Sequence, residues 1–451
     1  MDCLNAKIFI YSQDRKRGCE MIERVKGTRD FLPEEMVKRR WVFEKIREVF
    51  ETYGFKEVLT PVMEYTKLFQ LRSGEEVVKQ LYAFKDKGGR DVALRPDMTS
   101  SVARLYVNSF QTAPKPIKWY YIANMFRYEE PQSGRYREFW QAGVELIGSD
   151  KIEADAEVIA LFVDSYLSTG LKDFTVNIGD RVLLDEFAKM LGVKDDIGLM
   201  RIIDKKDKLS QEEFLKALGE FGLDENGIEK VLNLIEIKGK PDDVLPLAEE
   251  LFTSERAKEE ISRLYNLVDI LSWYEVDEWI QIDLGIARGF DYYTSIVFEA
   301  IVPNDLGIGS IGGGGRYDNL IEVFGGKPTP ATGFAIGIER LIPILEWKGL
   351  LPELKAGPDV FVIPVGDSRD VATAIVTRLR KAGIRSDIEL SGRKLRKALD
   401  YANRIGVRLS IIVGKRDLER GVVTIRDLES GNQVEVPVDN VVTKVRELLN
   451  Q

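Results

Sequence analysis

The chain has 451 residues, 44% hydrophobic and 31% charged, with a formal net charge of −9. That length and balance fit a globular protein of two or three domains, no apolar run is long enough to cross a membrane, and the acidic total argues against a general nucleic-acid glue. With only Cys3 and Cys19 and no histidine, the usual zinc ligands and every Ser/His or Cys/His catalytic arrangement are missing, so chemistry must rest on carboxylates, Arg, Lys, Tyr and a hard cation such as Mg²⁺.

Residues 1–20 differ in character from the rest of the chain and have neither a signal-peptide apolar core nor a transit-peptide composition. They are expected to be a disordered extension or the product of an upstream start codon. From Pro33 to Tyr53 a helical period runs through Met36, Trp41, Phe43, Ile46, Val49 and Phe50 and stops at Gly54. Phe55 to Met63 reads as an edge strand, since it carries Pro61. Tyr82 to Leu94 alternates and breaks at KGGR, a hairpin signal, and Asp97 and Thr99 then precede an apolar helical run that either could cap.

Next, WYYIANMF and AGVELIG read as two antiparallel strands joined through FRYEEPQSGRYREFWQ, with Pro131, Ser133 and Gly134 supplying the turn. The connection interleaves Arg127, Arg135 and Arg137 with Glu129, Glu130, Glu138 and Glu145. One reading is a solvated hairpin laced with ion pairs. The other is a phosphate site, in which guanidinium forks grip phosphate oxygens, Glu129 takes Mg²⁺ or an adenine amino group, and Phe139 stacks on a base or simply joins the core.

A helical stretch follows Gly148, and residues 181–273, rich in Lys, Glu and Leu, read as an inserted helical domain. Strand patterns return at Trp279 to Leu284 and Tyr293 to Ala300, on either side of ARGFDYY. In GIGSIGGGGRYDNL the glycines are too dense for a regular element, and the G-x-G-x-x-G dinucleotide spacing is absent. ATGFAIGIERL is a strand running into a helix, with Arg340 in its first turns beside Glu339. Residues 347–357 form a linker, and 358–451 alternate strands and helices as a mixed α/β layer with a charge near +4 from Gly357 on, 17 Lys and Arg against 13 Asp and Glu. Arg393, Lys394, Arg396 and Lys397 make a basic face there, for phosphate or for solvent.

Taken in order, KGTRDFLPEE (26–35), TPVMEYTKLF (60–69), LRPDMT (94–99), the FRYEEPQSGRYREFWQ loop, ARGFDYYTSIVFE (287–299), GGGRYDNL (313–320) and ATGFAIGIERL (331–341) resemble the histidyl-tRNA synthetases, class II aminoacyl-tRNA synthetases. The resemblance covers nearly everything from Met21 to Gln451. It implies a class II α+β catalytic domain (21–180 and 274–346) with an antiparallel sheet, a helical insertion over the tRNA acceptor arm (181–273) and a C-terminal α/β anticodon-binding domain (358–451). It further implies a cytoplasmic homodimer that joins L-histidine to tRNA(His) with ATP and Mg²⁺, without zinc and without a membrane. Arg127 and Arg288 would act at the α-phosphate; Arg127, Glu129, Arg135, Phe139 and Arg340 would bind ATP, with Glu129 the candidate for Mg²⁺. Histidine would lie against Asp97, Thr99, Gln141, Glu145, Arg288, Tyr292, Tyr293 and Tyr317. Many relatives carry Glu where this chain has Asp97, and bacterial ones have His at Tyr128 and Trp140 and Arg at Glu130, so acceptor-end recognition does not carry over. The alternative is a silent paralogue sensing histidine as the regulatory subunit of ATP phosphoribosyltransferase; such relatives lose the anticodon domain and part of the arginine set, which this chain keeps. A class II enzyme for another amino acid is opposed by ARGFDYY and by the lack of an editing region.

Overall fold

The structure is a computed structural model that describes residues 22–72, 79–130, 134–206, 209–287 and 292–450. The chain divides into two compact units, one built on Arg39–Leu350 and the other on Leu351–Gln451. Residues 1–20 lie outside the described residues, and so do Pro131, Ser133 and Arg288.

The first unit is organised on a large sheet. Its strands, in chain order, are β1 Lys56–Glu57, with β2 Met63–Tyr65, β3 Ala83–Lys85 and β4 Asp91–Leu94 set apart in a small second sheet, then β5 Ile117–Phe126, β6 Glu138–Ile147, β7 Thr175–Asp180, β8 Lys238–Gly239, β9 Ile280–Asp283, β10 Ile296–Ile301, β11 Gly312–Arg316 and β12 Ala331–Gly337. Among the described residues the large sheet runs β1-β5-β6-β12-β11-β10-β7-β9-β8. It is antiparallel except where β1 meets β5 and β7 meets β9. The β5–β6 hairpin is the longest pairing, with Trp119 opposite Glu145, Ala123 opposite Gln141 and Phe126 opposite Glu138.

Period-2 alternation sorts this sheet into two faces. On one, Phe50 of the helix Pro33–Thr52 and Phe162 of the helix Ile152–Leu167 both pack on Phe334, at ring distances of 5.8 and 4.8 Å. On the other, the helix Thr99–Ser109 buries Val102, Ala103 and Tyr106 against Trp119, Tyr121, Ala123 and Met125. Phe139, Gln141 and Glu145 stand opposite odd-numbered residues of β5, so they share this second face.

Several expectations need correction. The segment Phe55 to Met63 is not one strand: β1 ends at Glu57, Val58 N–H still reaches Tyr120 O at 2.9 Å, and the chain then leaves the large sheet for β2. In the first helix the buried stripe is Arg39, Val42, Ile46 and Phe50 rather than one through Trp41 and Val49. The glycine-dense stretch does form a regular element, β11, inside the sheet between β12 and β10. Its glycines answer to close packing, because a Cβ on Gly314 would lie 2.1 Å from Gly333 O. Tyr293 precedes β10, which starts at Ile296.

Between β7 and β9 the chain forms, among the described residues, six helices from Arg181–Met190 to Glu255–Trp273, with β8 returning to the sheet edge. No helix among the described residues is long and apolar enough to cross a membrane.

The second unit has β13 Val360–Val365, β14 Ser386–Ile388, β15 Leu409–Gly414, β16 Val422–Asp427 and β17 Gln433–Pro437, in the order β14-β13-β15-β16-β17. The first three are parallel and the last two antiparallel, and β17 is a strand that the pattern of residues alone does not announce. Val360 and Val362 face a core with the helices Arg369–Lys381 and Val441–Leu449, whereas Phe361 and Ile363 face Ala398 and Ala402 of the helix Leu395–Arg404. This gives helices on both faces of a mixed sheet. On its surface Arg393 is tied to Glu389 at 3.0 Å and covers the Tyr401 ring, while Lys394, Arg396 and Lys397 are exposed.

Candidate active site

An open cleft lies where β5, β6, β12 and the approach to β11 converge. Arg127 and Glu129 line it from the end of β5, Arg135 from the hairpin loop, Phe139 and Gln141 from β6, and Arg340 from the helix Ile338–Trp347 that leaves β12. The sheet register assembles them: Gly337 pairs with Gln141, which brings Arg340 against the returning hairpin. There Gly134 has φ +70°, and a Cβ on it would sit 3.1 Å from Arg340 Cγ, so both conformation and space call for glycine.

The arginines differ in what they do. Arg127 donates from Nε to Pro96 O at 2.9 Å and lies 5.2 Å from the Phe139 ring centroid; its separation of 3.9 Å from Glu129 makes only a loose ion pair. Arg340 donates from Nη1 to Ser310 O. The carboxylate next to it, Glu339, is held elsewhere: Arg39 donates to it at 2.8 Å and the Trp140 N–H at 2.7 Å. Arg135 is exposed at the rim. Arg137 is not part of the cleft lining; it is buried, bonds to Glu129 O at 3.1 Å and stacks 3.9 Å from the Tyr128 ring centroid, a loop-closing role. With Glu339 tied to Arg39, Glu129 is the lining carboxylate left to face a cation. One carboxylate plus substrate phosphates is the way Mg²⁺ is commonly held.

Along the same face, four residues from Gln141 and so about 13 Å away, Glu145 is the centre of a buried polar cluster. It is almost fully buried and accepts hydrogen bonds from Tyr317 Oη and, at 3.3 Å, from Tyr121 Oη. Burial first, and then the Glu145 charge, push both phenols well above their ordinary pKa, so both stay protonated donors. Tyr292 lies 4.2 Å from Tyr293 and 6.0 Å from Tyr317 between ring centroids. Asp97 accepts from Ser100 N–H at 3.3 Å, and Thr99 bonds to the Tyr121 hydroxyl. The Oε1 of Gln141 is buried without a hydrogen-bond partner, an acceptor held ready beside the cleft.

Sequence reasoning missed two features of this cluster. Tyr121 was legible in principle, since it alternates with Trp119 and Ala123 onto the face that carries Glu145. Gly333, opposite Glu145 in β12, was not: a Cβ there would lie 2.4 Å from Glu145 Oε2, so the position of that carboxylate depends on the glycine.

A largely antiparallel sheet with an arginine-lined cleft and a buried polar cluster on one face, followed by a separate α/β unit, agrees with the class II aminoacyl-tRNA synthetase architecture expected from the sequence. Residues 27–341 match the family model of histidyl-tRNA synthetase, and residues 359–448 that of the anticodon binding domain. The chain is 81% identical over 431 residues to the histidine–tRNA ligase of Pyrococcus horikoshii, covering 96% of this chain and all of that one, and 44% identical over 426 residues to that of Methanocaldococcus jannaschii, covering 93% and 99%. Among solved structures it is similar to the histidyl-tRNA synthetase of Nostoc sp. PCC 7120, with a TM-score of 0.81 and 27% identity over 95% of this chain and all of the other. It is also similar to a Bacillus halodurans protein described as an ATP phosphoribosyltransferase regulatory subunit/histidyl-tRNA synthetase, with a TM-score of 0.74 and 26% identity over 88% and 98%. The chain belongs to the histidyl-tRNA synthetase family.

Proposed function

We propose that this chain activates histidine with ATP to histidyl-adenylate and transfers the histidyl group to the 3′ end of tRNA(His). The observation that carries the reading is the buried Glu145 carboxylate, bound by two phenols, on the same sheet face as the arginine-lined cleft. Tyr121 and Tyr317 orient that carboxylate, the group on this face suited to accept from an imidazole N–H. A site that hydrogen-bonds its substrate in this way rejects analogues lacking the group by roughly 10⁴ to 10⁵.

In the first step a carboxylate oxygen of histidine bonds to the α-phosphorus while the bond to the bridging oxygen breaks, and pyrophosphate leaves with that electron pair. The nucleophile is already ionised, so the protein positions groups and neutralises charge. Arg127 and Arg288 act on the α-phosphate; Arg135 and Arg340 hold the β- and γ-phosphates; Phe139 stacks on adenine. Glu129 would hold Mg²⁺, which when bound offsets phosphate charge. Asp97, Thr99 and Gln141 receive the α-ammonium, and Glu145, Tyr293 and Tyr317 receive the imidazole, with Arg288 and Tyr292 completing the set of histidine-binding residues. A hydroxyl of the terminal adenosine then attacks the acyl carbon and AMP leaves.

The same reading makes the enzyme a cytoplasmic homodimer, with residues 181–273 over the acceptor arm and 358–451 on the anticodon. Exposed Leu59, Val62, Met63, Tyr65 and Phe84 on and before the small sheet are the kind of apolar surface a second copy would cover. The test is charging of a tRNA(His) transcript with labelled histidine. Acid-stable label on the tRNA supports the reading; histidine binding with no transfer would make the chain a silent histidine sensor instead.

A further inference from the structure

We infer that Arg263, on the helix Glu255–Trp273, is a positioning residue that sets the geometry of the histidine pocket without touching substrate. The inference rests on the pocket assignment above and adds to it. Arg263 Nη1 donates to Ser295 Oγ at 3.1 Å and to Glu260 at 3.0 Å, and Nη2 lies 3.8 Å from Asp155. Asp155 is fully buried and accepts both ways from Arg316 Nε, at 3.0 and 2.9 Å. Arg316, itself 1% exposed, uses its remaining donors on Ser149 O at 2.9 Å, Asp318 at 3.1 Å and Lys151 O at 3.4 Å.

On the other side Ser295 Oγ donates to Asp180 at 3.0 Å. Asp180 in turn caps the helix Arg181–Met190 by accepting from Val182 N–H at 2.7 Å and Leu183 N–H at 3.2 Å. The first and last helices of the 181–273 stretch are therefore fastened to one buried polar network. That network carries the backbone of two pocket tyrosines: Tyr317 follows Arg316, and Tyr293 lies two residues before Ser295. The two segments are also sewn together, with Thr294 N–H donating to Arg316 O at 2.8 Å and Asp318 N–H to Thr294 Oγ1 at 3.2 Å.

Successive residues of an extended chain point to opposite faces. Arg316 thus grips Asp155 of the helix Ile152–Leu167 behind the sheet while Tyr317 meets Glu145 in front of it. Arg263 closes the link between the Arg316–Asp155 pair and Ser295. A residue that only held the fold together would change stability and leave the balance between substrates alone. Arg263 instead controls how deeply the phenols sit against Glu145, so its loss falls on histidine and not on ATP.

The test is pyrophosphate exchange into ATP with Arg263→Gln, Arg263→Lys and, as a check on the pocket itself, Tyr317→Phe. Arg263→Gln is expected to raise KM for histidine about tenfold, with KM for ATP held within about twofold and kcat reduced less than about threefold. Arg263→Lys, which keeps the charge, recovers part of the rise. An unchanged KM for histidine in folded Arg263→Gln, or equal rises for both substrates, overturns the inference. If Tyr317→Phe leaves histidine KM unchanged, the pocket assignment fails; if Tyr317→Phe raises it and Arg263→Gln does not, only the role of Arg263 falls. Should Arg263→Gln not fold, Ser295→Ala removes one hydroxyl from the same link and carries the same expectation and the same refutation.

Discussion

Arg39 and Glu339 are 300 residues apart in sequence, yet they form a buried ion pair of 2.8 Å with side chains 5% and 3% exposed. Burial, the largest effect, raises the Glu339 pKa, and Arg39 offsets it. Arg39→Met would leave the carboxylate without its charged partner, facing the backbone N–H groups of Trp140 and of Glu339 itself. Breaking a buried pair from one side costs about 3–5 kcal/mol, whereas replacing both partners by neutral groups costs far less. Arg39→Met is therefore expected to lose about 3–5 kcal/mol, and Arg39→Met with Glu339→Gln to regain about 2 kcal/mol or more of it. The assay is urea unfolding followed by near-UV circular dichroism and fluorescence, with the two units treated as separate transitions. The pH dependence has a definite sign. A carboxyl whose folded pKa is raised destabilises as pH rises and it ionises, so without Arg39 the loss is larger at about pH 8 than at about pH 5. Costs that add within about 0.5 kcal/mol, with no coupling between the two changes, would refute this reasoning.

Three further outcomes are expected. Gly333→Ala puts a methyl 2.4 Å from Glu145 Oε2 and 2.3 Å from Val144 O; it should raise KM for histidine by about 10² or more, or abolish folding, and wild-type kinetics would show that Gly333 does not set the position of that carboxylate. Arg340→Ala should raise KM for ATP by roughly tenfold or more and leave histidine binding, measured by calorimetry, within about twofold. Asp180, pushed up to about 7 by burial and then by Glu260, is ionised below its folded pKa only in the unfolded chain, so its contribution to stability falls as pH rises from about 4 to about 7. Asp180→Asn keeps a helix-capping side chain and should flatten that part of the stability profile; parallel wild-type and variant profiles would contradict it.

The β5–β6 hairpin could be read from sequence because each strand announces itself by alternation and Gly134 marks the turn. Once the period is known, Phe139, Gln141 and Glu145 fall on one face with no further information. The same holds for β12 running into its helix, and hence for Arg340. By contrast β11 reads as irregular in sequence, since glycine has low strand propensity on its own, whereas here its neighbours leave no room for a side chain. The pairing that creates that crowding is nonlocal and leaves no trace in a short window. The partners of Glu339 and Asp155 are hidden for the same reason: Arg39 lies 300 residues before one, and Arg316 lies 161 after the other. Glu339 looks like a counter-ion for Arg340 because it is adjacent in sequence. The fold gives it to Arg39 and leaves Arg340 at the cleft.

The most direct test of the central claim, that an arginine-lined cleft and the Glu145 pocket act together on ATP and histidine, is pyrophosphate exchange into ATP measured with each of the twenty amino acids in turn. Exchange stimulated by histidine alone, and lost when Glu145 is replaced by Ala in a folded protein, is the predicted result. Exchange with none of the twenty, or with histidine undiminished in the Glu145→Ala protein, would contradict it.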